Sequence, residues 1–158
     1  MPRIPPPIVM LAAAACMAAL HRWLPLGHWI AAPWNRLGAL PAAFAIAIVV
    51  AALRRFHRAG TSVNPMDLSQ ATRLVTDGVY RISRNPMYLG LLLLLIGWGL
   101  WLGSASVWLI PPLFAITITL VQIVPEERAL ERLFGAQYLA YRDNVVRWIG
   151  RRARPTPQ

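Results

Sequence analysis

Charged residues and cysteine are scarce in this chain of 158 residues. Charged side chains make up 14% of the sequence, whereas a typical soluble domain has about 25%. With hydrophobic residues at 57%, this composition excludes a disordered chain and argues against a soluble globule. The single cysteine, Cys16, excludes an internal disulfide framework and a cysteine-based zinc site within one chain. The length allows one ordinary domain and not two.

Acidic residues are also few, with 6 Asp+Glu against 16 Lys+Arg, and the net charge is +10. Lysine is absent, so every one of these cations is an arginine. In a soluble protein such a balance would indicate nucleic-acid binding. Here the arginines are missing from long apolar stretches and crowded into the segments between them, which is typical of a membrane protein. No recognition-helix motif is visible, so we expect no nucleic-acid partner.

The apolar stretches predict an all-α integral membrane protein with about four transmembrane helices. One run of 40 residues, 86–125, carries no charged side chain. Since one span takes about 20 apolar residues, this run is long enough for two helices, folded into a hairpin by the turn at 103–106. Pro111 and Pro112 are expected to kink the last helix. We predict the four helices at about 6–20, 37–53, 87–102 and 106–123.

The first stretch has a second interpretation as a targeting segment. It begins near the N-terminus and ends in small residues, as a signal peptide does, and the sequence at 13–16 resembles a lipoprotein cleavage site. Only Arg3 supplies positive charge ahead of it, and a larger aliphatic residue is expected in place of Ala13. We therefore expect a retained helix.

The arginines orient the chain. If the loop 54–85, the tail after Pro125 and the N-terminus share one side, that side holds every arginine except Arg22 and Arg36. The positive-inside rule therefore predicts a multi-pass protein with both termini in the cytoplasm. Some of these arginines are expected to touch anionic headgroups. We predict one domain over 1–150 and a disordered basic tail over 151–158.

The segment before the third predicted helix is rich in turn residues. Asp77-Gly78 predicts a tight turn. Asn85-Pro86 predicts a helix start, with Asn85 as N-cap and Pro86 at the first helical position. The free N–H groups of that helix end would face the cytoplasmic edge, where they favour an anion. A structural alternative stays open, in which Asn85 only caps the helix and Tyr88 is an interfacial aromatic residue.

The tail is predicted to form short amphipathic helices. Pro125 and the two carboxylates that follow it predict a new helix start, with Gly135 as C-cap. Glu127 and Glu131 are expected to pair with arginines 128 and 132 on the helix surface. A second helix at about 136–148 would pack one face on the membrane surface or on the loop. That face consists of Tyr138, Tyr141, Val145 and Trp148.

Glu126 and Glu127 stand at the predicted membrane boundary, which leaves two interpretations open. Either they only favour a helix N-terminus, or they hold a cationic partner, because carboxylates lose hydration at a bilayer edge. The predicted cytoplasmic end of the helix bundle also carries tyrosines 80, 88, 138 and 141, several arginines and an exposed helix N-terminus. These groups suit a ligand that carries an aromatic ring, a carboxylate and a positive charge.

These two cytoplasmic segments resemble the isoprenylcysteine carboxyl methyltransferase family, whose superfamily includes phospholipid methyltransferases and small bacterial relatives. The resemblance covers about residues 60–150. It rests on 74–80 and 84–90 and, about 40 residues later, on Glu126-Glu127, Leu130, Phe134-Gly135, Tyr138 and Tyr141. It implies a methyltransferase of the bacterial inner membrane that uses S-adenosylmethionine (SAM) and needs no metal.

The resemblance also implies which residues bind SAM. Position by position, they are Thr72, Arg73, Leu74, Val75, Tyr80, Asn85, Pro86, Met87, Tyr88, Glu126 and Glu127. A carboxylate can pair with the ammonium of SAM or bind its ribose hydroxyls, a helix N-terminus can accept its carboxylate, and tyrosine faces suit its sulfonium or adenine. Methyl transfer needs alignment and exclusion of water more than a strong acid or base. No catalytic residue is therefore assigned.

Two positions depart from the family pattern. Asn85 stands where the family has a histidine. Gln122 stands where the eukaryotic enzymes have an arginine that holds the substrate carboxylate, and a neutral amide supplies no ion pair. We therefore expect Gln122 to face a small or lipophilic acceptor that is neutral or bears a thiol or an amine. Two alternatives remain: a nicotinamide-dependent membrane reductase of related architecture, and a non-enzymatic membrane subunit.

Overall fold

The chain folds into a bundle of helices, several of which are long enough to cross a bilayer. The structure, a computed structural model, describes residues 4–60 and 73–151. In these residues the pairing of β type is limited to two isolated bridges, so the all-α prediction is confirmed. The α-helices are α1 (Pro6–Trp23), α2 (Ala39–Ala59), α3 (Pro86–Leu102), α4 (Ile110–Ile118), α5 (Val124–Phe134) and α6 (Ala136–Asn144).

Three helical stretches are long and apolar enough to cross a membrane: Pro6–Trp23, Trp34–Ala59 and Ser106–Phe134. The apolar helix α3 has 17 residues, or about 25 Å at 1.5 Å per residue, against a hydrocarbon core of about 30 Å. The predicted multi-pass architecture with about four spans is thus confirmed. The second span continues six residues past its predicted end at 53, because Arg54, Arg55 and Arg58 extend the helix beyond the apolar stretch.

The predicted hairpin between α3 and α4 is present. Gly103 ends α3 with a left-handed φ of +73°, which a glycine adopts without strain. Its carbonyl accepts hydrogen bonds from the backbone N–H groups of Trp29 and Ile30, at 2.9 and 3.2 Å. The linker between α1 and α2 therefore fixes this turn at the end of the bundle away from Glu126.

Pro111 and Pro112, which are predicted to kink the last helix, lie where the helix changes type. A 3₁₀ turn, Ser106–Leu109, precedes α4, and both prolines lie in the first turn of α4. The kink itself stays a prediction. A second departure from α geometry follows in the π-helical turn Thr119–Ile123 that joins α4 to α5.

The predicted new helix at Pro125 also needs correction. Helix α5 continues from the π turn, so Ser106–Phe134 is one unbroken helical stretch. Gly135 ends it, as predicted, with φ +50°. Helix α6 ends at Asn144, short of the predicted 148, because Val145 turns extended and pairs with Arg151 in a β-bridge. The disordered tail predicted over 151–158 is wrong at Arg151, which forms this bridge, and residues 152–158 lie outside the described residues.

Helices α2 and α3 pack with their backbones nearly in contact. A Cβ atom placed on Gly97 would lie 2.6 Å from the carbonyl oxygen of Gly38, at the start of α2. Nearer the start of α3, a Cβ on Gly90 would lie 2.5 Å from a methyl group of Val49. These glycines let α3 sit deep against α2, which fixes the position of the start of α3 relative to α2.

Candidate functional site

The segment before α3 is held by a buried tyrosine. A 3₁₀ turn, Gly78–Arg81, follows Asp77 and buries Tyr80. The ring of Tyr80 packs edge-on against Phe56 of α2 at a centroid distance of 5.5 Å. Met87 and Val75 belong to the same apolar cluster. The turn predicted at Asp77-Gly78 therefore brings three of the proposed cofactor residues together beside α2.

Tyr88 and Glu126 directly join the two sequence segments that carry the family resemblance, 74–90 (the first block) and 126–141 (the second block). The hydroxyl of Tyr88, in the first turn of α3, donates a 2.6 Å hydrogen bond to Oε1 of Glu126. Glu126 lies in the first turn of α5 and is only 8% exposed. Burial is the main cause that raises the pKa of Tyr80, and the nearby Tyr141 and Glu126 raise it further. Tyr88 and Glu126, which are 38 positions apart in sequence, thus form one buried polar pair.

Glu127 lies next to Glu126 but has different partners. Its carboxylate is bound by Arg84, at 3.2 Å, and by both Nε and Nη2 of Arg147, at 3.1 and 2.7 Å. The side chains of Arg84 and Glu127 are 6% and 12% exposed. The predicted surface pairing of Glu127 with arginines 128 and 132 is therefore wrong: the pairs observed bridge different elements, and Glu131 likewise pairs with Arg142 of α6.

Asn85 takes the N-cap position of α3 but does not cap it with its side chain. Its Nδ2 instead donates to the carbonyl of Arg147 at 3.2 Å, and its backbone N–H donates to Oγ of Ser83 at 3.0 Å. The side chain of Asn85 thus contacts the C-terminal segment and does not cap the helix. Pro86 is buried at the first position of α3, as predicted.

Gln122 is buried in the π-helical turn, four residues before Glu126. Its Nε2 donates a 2.6 Å hydrogen bond to the carbonyl of Ile4, just ahead of α1. This contact connects the first span to the helix that carries both carboxylates. The observed partner of the predicted substrate residue is thus a backbone carbonyl, and the side chain brings no charge to this position.

Residues 72–75, also proposed to bind the cofactor, are only partly connected to the contacts described above. Thr72 lies outside the described residues. Arg73, Leu74 and Val75 line a cavity of about 330 Å³ together with Arg55 and Asp77, which form a 2.5 Å ion pair. Only Val75 among these three proposed cofactor residues also packs with Tyr80.

Helix α6 packs on the loop, which decides between the two predicted positions for its apolar face. Tyr138 is fully buried, and its hydroxyl accepts a hydrogen bond from Arg84 at 3.2 Å. The hydroxyl of Tyr141 donates to the carbonyl of Tyr80 at 2.7 Å. The roles of Arg84 and Arg147 in this network were not predicted from the sequence, because the positive-inside rule already accounted for these arginines.

The buried tyrosines predict a loss of stability in alkali. Burial is the main cause that raises the pKa of Tyr80 and Tyr141, and it raises that of Tyr138 from 10.0 to about 12. Since the folded pKa exceeds the unfolded value, this stabilisation is complete below pH 10 and is lost as pH rises through 12. Denaturation of the detergent-solubilised protein should become easier above pH 10. A flat profile up to pH 12 would contradict the burial.

Comparison with known proteins agrees with the two-block geometry. The family model of phospholipid methyltransferases matches residues 34–137. Protein-S-isoprenylcysteine O-methyltransferases A and B of Arabidopsis thaliana are 33% identical over 103 residues and 36% identical over 80 residues. These matches cover 61% and 46% of this chain but only 49% and 37% of the plant proteins.

A bacterial protein is similar over a shorter stretch. It comes from Haemophilus influenzae, is described as uncharacterized, and is 46% identical over 63 residues, which are 40% of this chain and all of that protein. No solved structure matches this chain. The chain spans about half the length, or less, of the plant relatives it matches.

Proposed function

We propose that this chain, which belongs to the phospholipid methyltransferase family, is an integral-membrane methyltransferase that uses SAM. The observation that carries the proposal is the buried hydrogen bond between Tyr88 and Glu126, because it places the two family blocks in one group. When bound, SAM supplies a methyl group on a positively charged sulfur, ready for transfer to a nucleophile.

The residues present fit such a ligand. Glu126 offers a buried, oriented carboxylate to an ammonium or to ribose hydroxyls. The first-turn N–H groups of α3, at Met87 and Tyr88, suit a carboxylate. Tyr80 and Tyr88 add aromatic surface. We extend the proposed binding set to Thr72, Arg73, Leu74, Val75, Asn85, Pro86 and Glu127 on the strength of the resemblance.

The acceptor is proposed to be lipophilic and to enter from the bilayer. Gln122 lies one turn from Glu126 within the span, and it brings no cation to hold a carboxylate. A neutral acceptor, or one with a thiol or an amine, therefore fits better than a carboxylate. A thiol or amine would take the methyl group of SAM as the carbon–sulfur bond breaks, SAH would be the leaving group, and the proton of the acceptor would pass to water.

The distribution of arginines supports both termini in the cytoplasm, and the family resemblance is the ground for proposing a bacterial inner membrane. Residues 1–150 then act as a single domain, with the cofactor entering from the cytoplasm.

The test is calorimetry on the detergent-purified protein with SAM and with S-adenosylhomocysteine (SAH). We expect saturable binding of both. No heat of binding at millimolar ligand would contradict the proposal, and binding of NADPH alone would favour the reductase. Incubation with labelled SAM and membrane extract then identifies the acceptor from the labelled product.

Replacing Tyr88 by Phe should weaken SAH binding about 3- to 10-fold, since Glu126 loses one neutral donor worth about 1 kcal/mol. The matched control is Trp98→Phe on the same helix, which removes a hydrogen bond to the carbonyl of Ala14 far from Glu126. Equal affinities for the two variants in calorimetry would argue against a role for the Tyr88 hydroxyl.

A further inference from the structure

The C-terminal segment 145–151 closes over the junction of the two blocks. Its backbone follows residues 82–84: the N–H of Gly150 donates to the carbonyl of Ile82 at 2.8 Å, and that of Arg84 donates to Val146 at 3.2 Å. This segment lies beyond the residues that the family model matches, 34–137.

Arg147 is the residue of this segment that contacts both blocks. Its carbonyl accepts hydrogen bonds from Nδ2 of Asn85 and from Oγ of Ser83, at 3.2 and 3.4 Å. Its guanidinium binds both oxygens of Glu127, the neighbour of Glu126. One residue thus connects the start of α3 with the first turn of α5.

We infer that Arg147 is a positioning residue for the cofactor site. This inference rests on the proposed function. The two-pronged contact fixes the rotation of the first turn of α5, and with it the direction of the Glu126 carboxylate. Its backbone contacts fix Asn85, one residue before α3. Small displacements of a binding carboxylate cost affinity because its hydrogen bonds depend on distance and angle.

The charge balance makes this role testable without loss of the fold. Glu127 keeps its bond to the nearly buried Arg84 when Arg147 is replaced, so no carboxylate is left with its charge uncompensated. The backbone contacts of residue 147 do not depend on its side chain. A variant at Arg147 therefore removes the orienting contact and keeps the segment in place.

The experiment compares Arg147→Gln, Arg147→Lys and Arg142→Gln with the unaltered protein. Arg142 pairs with Glu131, both about 40% exposed, and serves as the matched control. We expect Arg147→Gln to raise the Kd for SAH about tenfold, as the loss of a charged hydrogen bond does. In the activity assay the loss should fall on KM for SAM and not on kcat. Arg147→Lys should recover part of the affinity, and Arg142→Gln should bind normally.

The outcomes separate the inference from the proposed function. If the unaltered protein binds no SAH, both are overturned. If it binds SAH and Arg147→Gln binds equally well, the inference alone is overturned. A lower melting temperature for Arg147→Gln with unchanged Kd would show a purely structural role, and it would also overturn the inference.

Discussion

Glu126→Gln is expected to weaken SAH binding by about 1.5–3 kcal/mol, the size of a hydrogen bond to a charged group. In affinity this is about 10- to 100-fold. The substitution keeps the shape of the side chain and an oxygen that can accept from Tyr88, so the buried group remains packed. What it removes is the negative charge that the ammonium group, which SAM and SAH share, is proposed to meet at this point.

The control for this prediction is Glu131→Gln on the same helix. Glu131 forms an ion pair with Arg142 in which the carboxylate is 42% exposed, so its loss should cost little. Calorimetry on both variants, with circular dichroism to check helix content, measures the difference. Equal SAH affinities for the two variants would remove Glu126 from the binding site.

Gly97→Ala is expected to destabilise the protein by about 1–3 kcal/mol, the range for overpacking a close-packed interface. The added methyl group would lie 2.6 Å from the carbonyl oxygen of Gly38 and 3.3 Å from the backbone nitrogen of Ala42. Both neighbours are backbone atoms of the α2 region, so the two helices must separate to accept it. Alanine's higher helix propensity offsets at most about 1 kcal/mol of this cost.

Gly99→Ala, two residues along the same helix, is the matched control. Its nearest neighbour is the terminal carbon of Met17 at 3.2 Å, which is the end of a flexible side chain and can move aside. Thermal melts in detergent should show a clear drop for Gly97→Ala and little change for Gly99→Ala. Equal melting temperatures would contradict the close approach of α2 and α3.

The sequence was most informative where a single physical rule dominates. Uncharged length located the spans, and left-handed glycines marked the ends of α3 and α5 at Gly103 and Gly135. The change from a 3₁₀ turn to an α-helix just before Pro111 was not predicted, because both kinds of helix are equally apolar here.

The site was predicted as a set of residues and not as a set of contacts. The tyrosines and carboxylates of the two blocks were recognisable, and the bond between Tyr88 and Glu126 agrees with their grouping. The partners of Glu127 were not predictable, because Arg84 and Arg147 are 43 residues before it and 20 after it. Local spacing favoured pairs within one helix, whereas burial favours partners that tertiary packing brings to the carboxylate.

The most direct test of the account is an experimental structure of the detergent-purified protein with SAH bound. We expect SAH within hydrogen-bond distance of the Glu126 carboxylate and beside Tyr88, with Arg147 still on Glu127. SAH bound elsewhere on the chain, or a structure in which Tyr88 and Glu126 lie apart, would contradict it.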